Sequence, residues 1–257
     1  MGVLNLTPDS FSDGGKHLDV EGAITHAREM AAAGADIIDI GGESSRPGAT
    51  PVSAEEELRR VIPVIERLSD LFVSIDTTKA VVAERALAAG ARIVNDISAL
   101  RFDPRMVDVV RDSGTGLVLM HMQGTPETMQ ENPQYADVVS DVRGFLTSRV
   151  AFAVDHGIEK RQIAIDPGIG FGKTVEHNLK LLAHLDEFRS IGCAVMVGTS
   201  RKGFIGKVLD REPHDRAWGT AATVAWSVAQ GANVVRVHDV AEMAEVVLMI
   251  EAIRGAL

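Results

Sequence analysis

Chemically capable side chains recur at the ends of short apolar runs in this chain. Asn5 closes "MGVLNL", Asp39 and Glu43 follow "DII", and Asp76 ends "LFVSID". Further along stand Asn95 with Asp96, His121, Asp166, Ser200-Arg201-Lys202, and Arg236 with His238. They divide into two chemistries. Asp76, Asn95 and Asp166 are a neutral-to-acidic set. A carboxylate accepts two parallel N–H bonds, which suits a flat heterocycle with a guanine-like edge. Arg46, Lys202, Arg236 and His238 are cationic or can become so, and suit an anion such as phosphate. A ring carrying a phosphate tail would satisfy both sets.

Plainer readings compete. Asp39 or Asp96 could simply cap a following helix. Capping is a poor account of Lys202, Arg236 and His238, because cations are disfavoured at helix N-termini. "DPGIGFGKT" (166–174) ends like a phosphate-binding loop, but Pro167 stands where that motif needs its first glycine. Its glycines either let a ring approach the backbone beside Phe171, or form a flexible turn with Phe171 packed inward. The eight histidines form no H-E-x-x-H pair, and G-x-S-x-G is absent. A protein-caged zinc and a serine nucleophile are therefore not expected. Cys193 opens an apolar run and reads as an inert core residue.

Eight such runs exist: 1–6, 36–41, 71–76, 91–96, 116–121, 162–166, 194–198 and 233–238. Between them the pattern predicts helices at 19–33, 53–69, 78–89, 104–113, 134–156, 175–188, 202–209 with 215–229, and 239–254. Ser53 and Glu56 have capping-box spacing, and Gly34, Gly90, Gly157 and Gly231 stand at helix ends. Near-continuous apolar strands alternating with helices predict one (β/α)8 barrel domain over 1–257, with an open doubly wound sheet as the alternative. In a barrel the strand ends converge on one face, so residues scattered along the chain meet in one cavity.

The chain has 257 residues, of which 46% are hydrophobic, and its formal net charge is -10. That charge argues against nucleic acid or an anionic membrane as partner. One cysteine and no long apolar run make a soluble cytoplasmic protein the expectation. One oddity remains in "MGVLNLTPDSFSDGG": a strand-like run enters a polar loop that carries a single aromatic ring, Phe11.

"MGVLNLTPDSFSDGG", "IIDIGGESSRPGA", "SIDTTK", "IVNDIS", "LMHMQG", "IDPGIGFGK", "VGTSRKGFIG" and "VRVHD" together resemble the dihydropteroate synthase family, in order and across nearly the whole chain. The resemblance implies a (β/α)8 barrel that joins 7,8-dihydropterin-6-ylmethyl diphosphate to 4-aminobenzoate, in the enzyme class that sulfonamides target. By position, it implies Asp166, Asn95 and Asp76 as pterin contacts and Lys202 as the residue spanning both substrates. Asn5 is implied at Mg2+ and diphosphate, with Arg236, His238 and Arg46 as anion holders. Ser45, Pro47, Phe171 and Ser200 would line the aminobenzoate site. Ser45 replaces a threonine common in the family and keeps the hydroxyl. Phe11 and Asp13 would sit on a closing loop, Phe11 against aminobenzoate and Asp13 facing the developing pterin cation. A homodimer is also implied. The nearest rival is a pterin-binding methyltransferase barrel, which needs neither a diphosphate rim nor "SRK". A non-catalytic pterin-binding protein would need no lid residues.

Overall fold

The computed structural model describes residues 1–7, 20–46 and 48–256. Its strands are β1 (Gly2–Asn5), β2 (Ile38–Gly41), β3 (Val73–Asp76), β4 (Ile93–Asp96), β5 (Gly116–Met120), β6 (Ile163–Asp166), β7 (Ala194–Val197) and β8 (Val234–Val235). Each pairs in parallel with the next in sequence order. The ring closes where Val3 N donates to Val237 O at 3.0 Å and Val237 N to Met1 O at 2.9 Å. The open-sheet alternative is thereby excluded. Closure leaves no strand edge, and because all strands are parallel, their C-terminal ends share one face.

The helices are α1 (Val20–Ala32), α2 (Ala54–Arg67), α3 (Ala80–Ala88), α4 (Met106–Ser113), α5 (Val138–Asp155), α6 (Val175–Ala183), α7 (Gly203–Leu209), α8 (Ala217–Ala229) and α9 (Val240–Gly255). They wrap strands that are buried on both faces: Ile38, Ile40, Ile75, Val94, Leu119 and Ile165 are sealed in the main core. That double burial is why the strands read as apolar runs instead of alternating.

Helix ends follow local chemistry. Gly34, Gly90, Gly157 and Gly231 all take positive φ, the left-handed region that lets a chain leave a helix cheaply. Ser53 Oγ accepts from Glu56 N at 3.2 Å, capping α2. The other half of the expected box is missing, because the Glu56 carboxylate binds Arg59 and Arg60 instead. A complete reciprocal box stands before α6, between Thr174 and His177. The helix expected over 175–188 breaks after Ala183, and the chain runs on as a 3-10 segment, Leu185–Ile191. No helix among the described residues is long and apolar enough to cross a membrane.

Candidate active site

The floor of the strand-end face is an ion-pair network across β2, β3, β4 and the end of β8. Asp39, fully buried, accepts from Arg236 Nε at 2.6 Å and from Asn95 Nδ2 at 3.1 Å through one oxygen, Oδ2. Arg236 Nη2 reaches Asp76 Oδ2 at 2.9 Å. Burial pushes the Asp76 carboxyl up to about 7, with Arg236 opposing and the Asp39 charge adding to the rise. Asp39 is thus no helix cap. Asp96 does act locally, accepting from Ser98 N at 2.8 Å and Leu100 N at 2.7 Å. Among the described residues, Asp39 Oδ1, Ser74 Oγ and Asn95 Oδ1 are buried without a protein partner. Unpaired buried polar atoms of this kind are rare away from binding sites.

Arg236 differs from its expected place on a basic rim. Its guanidinium lies in the floor, because the fully buried Asp39 and the partly buried Asp76 need a cation and a planar fork can serve both. His238 is no fixed cation either. Burial, with Arg236 and Arg201 nearby, pushes its imidazole down to about 4. His238 N donates to Ser200 Oγ at 3.1 Å, and His238 Nδ1 lies 3.0 Å from the same oxygen. The hydroxyl proton then goes to Nδ1, which leaves Nε2–H as the outward donor. Arg46 is exposed, and its side chain makes no hydrogen bond to the described residues.

The loop between β6 and α6 supplies the remaining wall. Asp166 is buried, and its Oδ1 accepts from Gly168 N at 2.7 Å. Nothing among the described residues donates to its Oδ2. Burial raises the Asp166 pKa, while Lys202, Lys173 and Arg236 hold it down. Lys202 precedes α7 and turns its amine away from that helix to donate to Ile169 O, 4.6 Å from the Phe171 ring centroid. Burial lowers the Lys202 amine to about 8. Phe171 is half-buried and packs on Ile97, Met120, Met122 and Met129.

The loop glycines answer to protein contacts. A Cβ on Gly168, at φ +67°, would stand 1.9 Å from His121 O, and one on Gly170 would meet Lys202 Cδ at 2.9 Å. These contacts alone require both glycines, whether or not a ring lies against the loop. Gly168→Ala is expected to destabilise the fold by about 1–3 kcal/mol through strain and the displaced backbone, read as a lowered Tm. An unchanged Tm would contradict the packing.

Ser45 is half-buried and lines an open cleft of about 330 Å³ with Glu43, Asp76, Thr77, Lys79 and Phe102. Lys79 joins the carboxylates of Glu43 and the fully buried Glu57 there. Asn5 stands at the end of β1, next to Gly41 of β2: a Cβ on Gly41 would lie 3.8 Å from Asn5 Oδ1 and 3.8 Å from Asp76 Oδ2. Among the described residues no cluster of three or more acidic, histidine or cysteine side chains could cage a metal. Cys193 is a free thiol, half-buried against the core, and burial raises its pKa. Phe11, Asp13 and Pro47 lie outside the described residues.

Two features of the site have no site role from sequence, where Asp39 reads only as a strand-end acid or helix cap. Asp39 stood between isoleucines in "DIIDIG", a charge inside a run meant for burial, and that position was its signal. The buried contacts of Lys173 had none, because they depend on a fold-back of the loop.

The profile of the family described as "Pterin binding enzyme" matches residues 1–238. A dihydropteroate synthase of Synechocystis is 48% identical over 98% of this chain and 89% of its own length. The Yersinia pestis dihydropteroate synthase, solved as a sulfonamide drug complex, superposes with a TM-score of 0.94 at 44% identity, covering 99% of this chain and 93% of that one. The Xanthomonas albilineans synthase with 4-aminobenzoic acid gives a TM-score of 0.93 at 48% identity, covering 98% of this chain and 92% of that one. A shared barrel, a family profile that spans residues 1–238 and identity at this level over nearly the whole chain place it: the chain belongs to the dihydropteroate synthase family.

Proposed function

We infer that the chain performs its family's reaction, condensing 7,8-dihydropterin-6-ylmethyl diphosphate with 4-aminobenzoate to give 7,8-dihydropteroate and diphosphate for folate synthesis. The observation that carries the division of labour is Asp166, a buried carboxylate whose Oδ2 has no donor among the described residues, whereas Asp39 and Asp76 are both tied to the Arg236 guanidinium. The pterin's adjacent N–H and NH2 donors go to Asp166, and the unpartnered Asn95 Oδ1 takes a further ring donor. Asp76 stands beside them, tied to Arg236. Lys202 spans the pterin and aminobenzoate sites from its place over Phe171. Ser45, Pro47, Phe171 and Ser200 line the aminobenzoate side.

Bond breaking comes first. The C–O pair leaves with diphosphate while the electron-rich ring shares the positive charge; the aniline nitrogen then attacks the methylene carbon and loses a proton. The amine needs no strong base, and none is assigned. Arg46 and the His238 Nε2–H hold the departing diphosphate, and Arg236 adds positive field from behind. The Asn5 amide oxygen suits Mg2+, which takes hard oxygen ligands and keeps waters and phosphate oxygens instead of a full protein cage. When bound, Mg2+ neutralises charge developing on the leaving group. Family resemblance assigns Phe11 to aminobenzoate and Asp13 to the pterin cation.

A second copy of the chain covers an apolar face on the outer helices. Trp218 is 86% exposed, and Val208, Trp226, Leu248, Met249 and Ile253 are exposed on α7, α8 and α9, where α8 packs against both other helices. Such a surface is costly to leave in water. Sedimentation is expected to show a dimer.

The rim assignments are tested by calorimetry with bare pterin and with its diphosphate. Arg46→Ala and His238→Ala weaken the diphosphate ligand far more than bare pterin. Arg236→Ala weakens both, since its guanidinium is built into the floor. Equal losses for both ligands in the first two variants would overturn the tail assignment.

A further inference from the structure

Four successive carbonyls in the β6–α6 loop each accept from a different side chain. Ile169 O accepts from Lys202, Gly170 O from Gln130 Nε2 at 2.8 Å, Phe171 O from Lys173 Nζ at 2.9 Å, and Gly172 O from Tyr135 Oη at 2.7 Å. The loop has no regular ladder over these residues, so side chains take that role. Gln130 and Tyr135 come from the segment between β5 and α5, and Lys202 comes from the end of β7.

Lys173 is the member with the most to satisfy. It is 4% exposed, and besides Phe171 O its Nζ lies 2.9 Å from His121 Nδ1 and 3.4 Å from His121 O. Burial pushes the Lys173 amine well below its ordinary value while the Asp166 charge opposes, and the three acceptors around Nζ match the three protons of an ammonium. His121 can play its part because burial and the Lys173 charge hold its imidazole down to about 2. A neutral ring facing the ammonium accepts through Nδ1 and keeps its proton on Nε2. Phe145 meets that ring edge-on, with centroids 4.9 Å apart, and fixes its plane.

We propose that Lys173, seated on neutral His121, is a positioning residue for substrate binding. It ties the loop's Phe171 carbonyl to the end of β5 and so fixes Asp166, Phe171 and the Ile169 carbonyl at which Lys202 docks. Lys173 does not touch substrate in this scheme; it acts through the residues that do. The proposal rests on the reading of Asp166 and Phe171 as ring contacts.

The test is calorimetric binding of bare pterin, with steady-state kinetics in both substrates and a thermal melt on each variant. Lys173→Met keeps the stem and removes the donors. It is expected to raise the pterin Kd and the KM for the pterin diphosphate by about tenfold or more, because small misplacements of binding groups are expensive. The kcat at saturation is expected to change by less than about threefold, as for lost uniform binding. His121→Asn offers an amide oxygen near the position of Nδ1 and is expected to retain most pterin affinity, while His121→Leu reproduces the Lys173→Met loss. Wild-type pterin affinity in folded Lys173→Met overturns the proposal. So does a lower melting temperature with unchanged Kd and KM, which marks a purely structural role. If Lys173→Met does not fold, the histidine pair decides, and equal affinities of its two variants overturn the proposal. Asp166→Ala is run alongside: unchanged pterin affinity there sinks the underlying reading, whereas loss there with retention in Lys173→Met sinks only the positioning role.

Discussion

Asp166→Ala is expected to abolish measurable pterin binding while the barrel stays folded. The variant takes away the buried acceptor proposed for the ring's paired donors, and the described floor carboxylates are each committed to the Arg236 guanidinium through one oxygen. Asp39 is held by Arg236 and Asn95, and Asp76 shares Arg236. A charge-assisted pair cut at one partner costs about 2–5 kcal/mol, on the order of 30- to several-thousand-fold in Kd. Stability should move little. The variant orphans Gly168 N, which gave its hydrogen to Oδ1, but it also removes a carboxylate whose burial is itself unfavourable. Calorimetry with bare pterin, with a thermal melt as folding control, reads both effects. Wild-type affinity in the folded variant would contradict the assignment.

The second large effect is expected at Asp39, and its signature is the reverse. Asp39→Ala leaves the Arg236 guanidinium with one carboxylate partner, Asp76, and takes the acceptor from Asn95 Nδ2. Removing one member of a buried pair costs about 3–5 kcal/mol, because the remaining charge stays desolvated. A lower denaturation midpoint is therefore expected together with weakened pterin binding, since Arg236 and Asn95 both lose their anchor. Asp39→Asn keeps an acceptor for both partners and should fall between wild type and Asp39→Ala. A variant as stable as wild type would mean that the floor network contributes little to the fold.

The barrel was legible because its strands are buried on both faces. "DIIDIG" and "GLVLMH" read as apolar runs, and Gly34, Gly90, Gly157 and Gly231 marked helix ends where positive φ was needed. What sequence could not carry was pairing between distant side chains. Arg236 is 197 positions from Asp39, and only closure of β8 on β1 brings them together, so its cationic character alone suggested a rim. His238 likewise read as a potential cation until burial was known. The glycines of "DPGIGFGKT" announced a tight turn but not its counterpart, the His121 carbonyl that a Cβ at Gly168 would strike. Glu56 had capping-box spacing, yet Arg59 and Arg60 outcompete the backbone N–H for its carboxylate. Phe11 and Asp13 lie outside the described residues, and their roles rest on family resemblance alone.

The most direct test of the account is a stoichiometric one. The chain is mixed with 7,8-dihydropterin-6-ylmethyl diphosphate, 4-aminobenzoate and Mg2+, and both products are quantified over time. The account predicts 7,8-dihydropteroate and diphosphate appearing one for one, with no dihydropteroate when 4-aminobenzoate is left out. Tight pterin binding with neither product formed, or diphosphate released without dihydropteroate when both substrates are present, would contradict it.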